Sequence, residues 1–284
     1  MKFKIILLFI ISFFSSCIPE ERTEGGNLKN DIPCIIVIGQ SNAAGYAPQE
    51  SSPFWLKHDD YMMKDYLVWN RYAKKFQPYR LGYNVGSEDN SDSHFGFDIF
   101  FAQNYIDKYE GTLLCIKQTL DGVPISEKGS SELARWNPIS ELIPRGERNM
   151  IQELKIKMKE ADDYSLKNDF KLIPIAILLH QGEGDASEVV RLNDYEENFK
   201  KLIAYLRNEI ISDTIPIING EIFYINDNFK RINSIFHSYS QSDNKFMTVS
   251  MKEYQTSIGD NLHYDARAHE YLGKKMFEYF ELMK

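Results

Sequence analysis

The chain has 284 residues, 43% of them hydrophobic and 26% charged, the composition of a folded globular protein and not of a disordered or fibrous one. Against 41 Asp and Glu stand only 33 Lys and Arg, a formal charge of −8, so no basic excess exists to neutralise phosphates and nucleic acid is excluded as a partner. Three cysteines are too few for a disulfide framework, and the length suits one large domain or two small ones, either of which could bury a full core.

The chain opens on a basic pair, Lys2 and Lys4, followed by an apolar run from Ile5 to Phe14 and then Ser15, Ser16 and Cys17. A hydrocarbon core needs about 20 apolar residues to be crossed, so this run reads as a signal peptide. Phe-Ser-Ser-Cys resembles a bacterial lipoprotein signal, with Phe14 standing where Leu is usual; Cys17 would then be the lipidated first residue. The expected organisation is a signal peptide over 1–16, a polar, glycine-bearing tether over 17–31 and a folded domain over 32–284. A lipid anchor makes a membrane the expected partner, in a bacterial cell envelope, periplasmic or at the cell surface.

From residue 32 on, apolar β-rich runs alternate with amphipathic stretches. Strands are expected at Cys34–Ile38, Thr112–Lys117, Leu172–Leu179, Ile215–Ile222 and Phe246–Ser250, several of them continuous apolar runs, as in a parallel sheet covered on both faces. Helices are expected at Phe97–Tyr109, Pro144–Asp162, Val189–Ile210, Asp227–Ser240 and Ala266–Met283. The second would open on a proline, which a first helical turn tolerates. In the third, Leu192, Tyr195, Phe199, Leu202, Ile203 and Leu206 recur at helical spacing. This alternation gives a three-layer α/β/α sandwich with a mostly parallel five-stranded sheet. Residues 46–95 read as irregular loops whose aromatics, Tyr46, Trp55, Trp69 and Tyr83, either stack on a ligand or pack the loops down. Cys34 and Cys115 lie in apolar runs and read as buried thiols.

Three motifs follow strands. In IIVIGQSNAAG, residues 35–45, Gly39-Gln40-Ser41-Asn42 puts a hydroxyl at the carboxyl edge of the sheet, where α/β folds bind ligands. Alone, these residues read more readily as a Ser/Asn turn or a helix cap. In IAILLHQGEGD, residues 175–185, a strand opens into His180, Gln181, Glu183 and Asp185, which could also cap the next helix. In SIGDNLHYDARAHEYLG, residues 257–273, Asp260 and His263 are three apart, so the carboxylate can reach the imidazole Nδ1. His269 falls in the terminal helix, where an exposed or core-edge position is expected, and Asp265 is its expected cap.

Taken together, GQSN, QGE-x-D and DNLH, in that order over residues 32–284, resemble the sialate O-acetylesterase-like branch of the SGNH (GDSL-like, flavodoxin-like) hydrolases, which includes the acetylxylan esterases of carbohydrate esterase family six. The resemblance implies Ser41 as nucleophile, His263 as general base and Asp260 as the carboxylate that orients it. It implies an oxyanion hole from the Ser41 N–H, the Gln181 amide and a further N–H, placed at Gly122 in TLDGVPI, with Gln40, Asn42, Gly96, Glu183 and Asp185 in support. The chain departs from the family at Asp121 and Val123, where its Gly-Gly-Thr turn has Gly and Thr, and at Gly184, where it has Ser; Leu179 stands where an aromatic is frequent. What the resemblance implies is a serine esterase that removes acetyl groups from a carbohydrate such as sialic acid or xylan, with no metal and no cofactor. Two other readings stay open: a non-catalytic carbohydrate-binding lipoprotein with the esterase fold, and a metal-dependent deacetylase using His180, Asp185, His263 and His269.

Overall fold

The computed structural model describes residues 30–81, 94–130 and 132–284; Cys17, the tether up to residue 29 and Tyr83 lie outside the described residues. Among the described residues no helix is long and apolar enough to cross a membrane.

The central sheet is built on β1 (Asn30–Gly39), β2 (Met62–Asn70), β3 (Lys75–Arg80), β4 (Leu113–Thr119), β5 (Phe170–His180), β6 (Ile217–Gly220) and β7 (Phe246–Val249). Their order across the sheet is β7-β6-β5-β1-β4-β2-β3. All neighbours are parallel except β3, which pairs antiparallel with β2 at the edge. The sheet therefore has seven strands where five were expected. The two additions come from the 46–95 stretch, whose mixed polarity hides them: β2 carries exposed Lys64 and Asp65, and β3 carries Pro78, which an edge strand tolerates because it need not donate.

β1 is the centre of the molecule, and its alternation splits the core in two. Cys34, Ile36 and Ile38 face one layer, formed by α4 (Met150–Lys167), α7 (Tyr195–Glu209) and α8 (Asp227–Ser242). Ile35 and Val37 face the other, formed by α3 (Asp98–Tyr109) and α9 (Ala266–Met283), with α2 (Phe54–His58) beside them. Cys34 and Cys115 are free buried thiols on opposite faces of the sheet, and burial pushes the Cys115 thiol up to about 12. In α7 the apolar stripe Tyr195, Phe199, Leu202, Ile203 and Leu206 is fully buried, each side chain contributing about 1.5–3 kcal/mol of burial.

Two helix boundaries differ from expectation. α4 starts at Met150 and not Pro144, because the Asn149 side chain accepts from the N–H groups of Ile151 and Gln152 and makes the stronger cap. The residues before it are drawn elsewhere: Arg148 and Asn149 pair with Ala134 and Arg135, and Glu147 bonds the buried Arg135. The expected helix over 189–210 is broken into α6 (Val189–Leu192) and α7 at Asn193-Asp194. α9 runs over the expected residues, capped by Asp265, which accepts from Arg267 and Ala268.

Candidate active site

The carboxyl ends of β4, β1 and β5, three adjacent strands, release three turns toward one edge of the sheet. Gly39 ends β1 with φ of +143°, and a Cβ there would lie 1.9 Å from the His180 carbonyl oxygen, so only glycine lets the chain turn this close to β5. The turn leads into α1 (Ser41–Ala44), a single turn of helix with Ser41 at its head. α5 (Glu183–Ala186) leaves β5 beside it.

A cleft of about 630 Å3 opens at this edge, and Ser41, Gly122, Asp260 and His263 all line it. Asp260 accepts from the backbone N–H groups of Leu262 and His263 at 2.9 Å and lies 2.5 Å from His263 Nδ1. Partial burial pushes the Asp260 carboxyl up, but the backbone and ring hydrogen bonds from His263 outweigh it and hold it below the usual carboxylate range. The carboxylate thus fixes which ring nitrogen faces away from it and leaves Nε2 for the cleft. Ser41 is 5% exposed, and among the described residues its Oγ makes no hydrogen bond, to the His263 ring or to any other group. Contacts of this kind commonly tighten only around a substrate.

The supporting residues form a buried frame behind the serine. Glu183 accepts from the Gln40 amide and, at 2.9 Å, from Asn42 Nδ2, and its Oε1 lies 3.3 Å from His180 Nδ1. Burial pushes the Glu183 carboxyl up, but His180 and the Asn42 amide outweigh it and hold it low. Asn42 also donates to the Leu262 carbonyl and accepts from the Tyr264 N–H, joining the turn that carries Ser41 to the loop that carries His263. Asp185 accepts from the N–H groups of Ile125 and Ser126 at 2.8 and 3.0 Å, which fixes the turn after β4; burial pushes its carboxyl up to about 6. Gly184 is needed for the same turn, since a Cβ there would lie 2.3 Å from the Gly122 carbonyl oxygen. The residue that departs from the family's serine is therefore the one against which this turn packs.

Not every expected residue reaches the cleft. The Gln181 amide donates to Asp185 Oδ2 at 2.8 Å and to the Val123 carbonyl at 3.4 Å, and its Oε1 accepts from Tyr195, so it braces the β4 turn from behind. Gly96 meets Gly45 backbone to backbone, away from the cleft lining. Trp69 is buried against Phe76 and Tyr164, and Trp55 packs edge-on to Phe100. Tyr46 does line the cleft: its ring stacks on His263 at 4.2 Å and its hydroxyl bonds Asp121, which turns that carboxylate toward the tyrosine. His269, expected at an exposed or core-edge position, is fully buried between Phe97 and Tyr264. His180, Asp185, His263 and His269 do not converge, and no group of three metal-ligating side chains is found among the described residues.

Sequence reasoning missed Glu132, Arg191 and the apolar wall of Ile225, Phe229 and Leu262, all of which line the cleft. Arg191 sits on α6 with no motif around it, and nothing local in the sequence marks it.

The residues 31–281 match the family model for carbohydrate esterases described as sialic acid-specific acetylesterases. The chain belongs to this family. It is thus a member of a carbohydrate acetylesterase family, whose reaction class is carboxylic ester hydrolysis. Among curated proteins no sequence matches it. Among solved structures, this carbohydrate esterase is similar to a protein from Arabidopsis thaliana at 18% identity and TM-score 0.68, over 89% of this chain and 98% of that one. It is similar to NanS at 14% identity and TM-score 0.62, over 89% and 97%. A carbohydrate acetylesterase from Sinorhizobium meliloti aligns at 10% identity and TM-score 0.51, over 89% and 100%. At such identities these likenesses show the fold of the esterase and leave its chemistry to the site.

Proposed function

We propose that the protein is a serine esterase that removes O-acetyl groups from a carbohydrate through an acetyl-Ser41 intermediate. The observation that carries this is the Asp260–His263 pair, locked by three hydrogen bonds, in the same cleft as the head of α1 where Ser41 sits. His263 Nε2 takes the Ser41 proton as Oγ attacks the acetyl carbonyl, and the imidazolium formed is stabilised by Asp260. The tetrahedral oxyanion collapses, the sugar oxygen leaves with the proton from His263, and acetyl-Ser41 remains. Water, deprotonated by His263, then releases acetate and restores the serine.

The N–H groups of Ser41 and Gly122 are the oxyanion donors in this reading. Among the described residues neither N–H has an acceptor, and both residues line the cleft. Gln181, committed to Asp185 and Val123, holds Gly122 in place. Removal of one such donor typically costs on the order of 10²–10³ in rate. Hydrolysis of a chromogenic acetyl ester, with acetate as the product, tests the reaction; a protein that binds acetylated sugars and releases no acetate would be a binding module instead.

The N-terminal segment supports attachment to the envelope through a lipidated Cys17. Metabolic labelling with a fatty-acid analogue tests this, and label that persists in Cys17→Ala would refute it.

A further inference from the structure

We propose that the sugar this esterase accepts is uncharged, and that the cleft selects against sugars bearing a carboxylate. This rests on the esterase reading above and names its substrate class. The described side chains that line the cleft include four carboxylates, those of Asp121, Glu132, Glu183 and Asp260. The single guanidinium or ammonium group among them is Arg191. Its charge is already matched, by Glu132 at 2.7 Å and Glu188 at 3.4 Å. Its N–H groups are also taken up by protein carbonyls, those of Gly184 at 3.0 Å, Lys128 at 3.2 Å and Ser130 at 2.9 Å. The side chain is 1% exposed, so turning it toward a ligand would strand these carbonyls in the interior. Arg191 therefore holds Lys128, Ser130 and Glu132 in place and is not free to pair with a substrate anion.

The remaining groups suit a neutral polyol. Ionised carboxylates are acceptors only, and a sugar hydroxyl, which can both donate and accept, can donate to them. The same cleft is lined by Ile225, Phe229 and Leu262, apolar side chains that suit the C–H face of a sugar ring. A carboxylate within about 10 Å of several like charges is repelled even at moderate salt, and the repulsion fades as salt rises.

Two matched pairs test the proposal: 9-O-acetyl-N-acetylneuraminic acid with its C1 methyl ester, and a methyl glucuronoside acetylated at all three ring hydroxyls with its C6 methyl ester. Acetate release is followed for each, alongside a chromogenic acetyl ester. At least one neutral partner should be turned over with kcat/KM about tenfold or more above its acid in 20 mM salt, and the gap should narrow at 0.5 M. Acids cleaved as well as or better than their methyl esters would overturn the proposal while leaving the esterase reading intact. So would turnover of the chromogenic ester with neither neutral sugar accepted. Failure of every ester, the chromogenic one included, would instead bring down the esterase reading and this inference with it.

Discussion

The side-chain oxygen of Asn42 accepts a hydrogen bond at 2.9 Å from the backbone N–H of Tyr264, the residue after His263. Its amide nitrogen donates to Glu183 and to the Leu262 carbonyl. One buried carboxamide therefore ties the Ser41 turn, the end of β5 and the His263 loop together, across more than 200 residues of sequence. Deleting it in Asn42→Ala takes their partner from the Tyr264 N–H and the Leu262 carbonyl and leaves Glu183 with Gln40 and His180 alone, which should cost about 1–3 kcal/mol of stability. The esterase kcat should fall by roughly ten-fold or more, because the two loops lose their common reference. Thermal unfolding and steady-state kinetics read the two effects; full stability and full activity in Asn42→Ala would refute this role.

Asp260 and Asp265 separate mechanism from capping. Asp260→Asn keeps the size of the side chain and removes the charge that orients His263. The same exchange in a triad that cleaves amides costs about 10⁴ in kcat. For an ester, which is easier to cleave, a loss of roughly 10²–10⁴ is expected, mainly in kcat. Asp265→Asn replaces one good helix cap by another at α9 and should leave kcat within a few-fold. Kinetics of both variants on one acetyl ester decide the matter. A severe Asp265→Asn beside a mild Asp260→Asn would mean that the acid is misassigned.

What the sequence carried and what it did not divide along physical lines. The continuous apolar runs at 35–38, 113–116 and 175–179 marked β1, β4 and β5, because the middle of a strand covered on both faces is apolar at successive positions. The terminal helix was legible from its Asp265 cap and apolar stripe. β2 and β3 were not, since exposed Lys64 and Asp65 and the Pro78 of an edge strand read as loop chemistry. The residues that line the cleft beyond the motifs, Tyr46, Glu132 and Arg191, are brought there by tertiary packing. Gln181 follows the motif in sequence, yet Asp185 and Val123 claim its amide.

Glu221 and His237 set a pH window for stability. Glu221 is buried after β6 and bonds His237 Nε2 at 2.6 Å, with Tyr224, Ser250 and the Met251 N–H as further donors. The Glu221 hydrogen bond is the main force raising His237 above its usual 6.5. A raised histidine contributes stability that is fully present below 6.5 and is lost as pH rises through its folded value. Burial pushes Glu221 up, but its hydrogen bonds, that from His237 foremost, outweigh this and hold it below 4.5. Its contribution is present above 4.5 and is lost as pH falls through its folded value. The melting temperature should thus decline on both sides of this window. In His237→Gln the decline above 6.5 should flatten; an unchanged pH profile in that variant would contradict the pairing.

The central claim is that Ser41 carries the acetyl group, and a serine-directed phosphonate tests it most directly. The wild-type protein should be labelled at one site within residues 35–45, with loss of acetyl-ester hydrolysis in step with labelling. Ser41→Ala should take no label and lose activity by about 10³ or more. Its fold should be unchanged, because the hydroxyl makes no hydrogen bond among the described residues. Labelling or acetate release that persists in Ser41→Ala would contradict the account at its root.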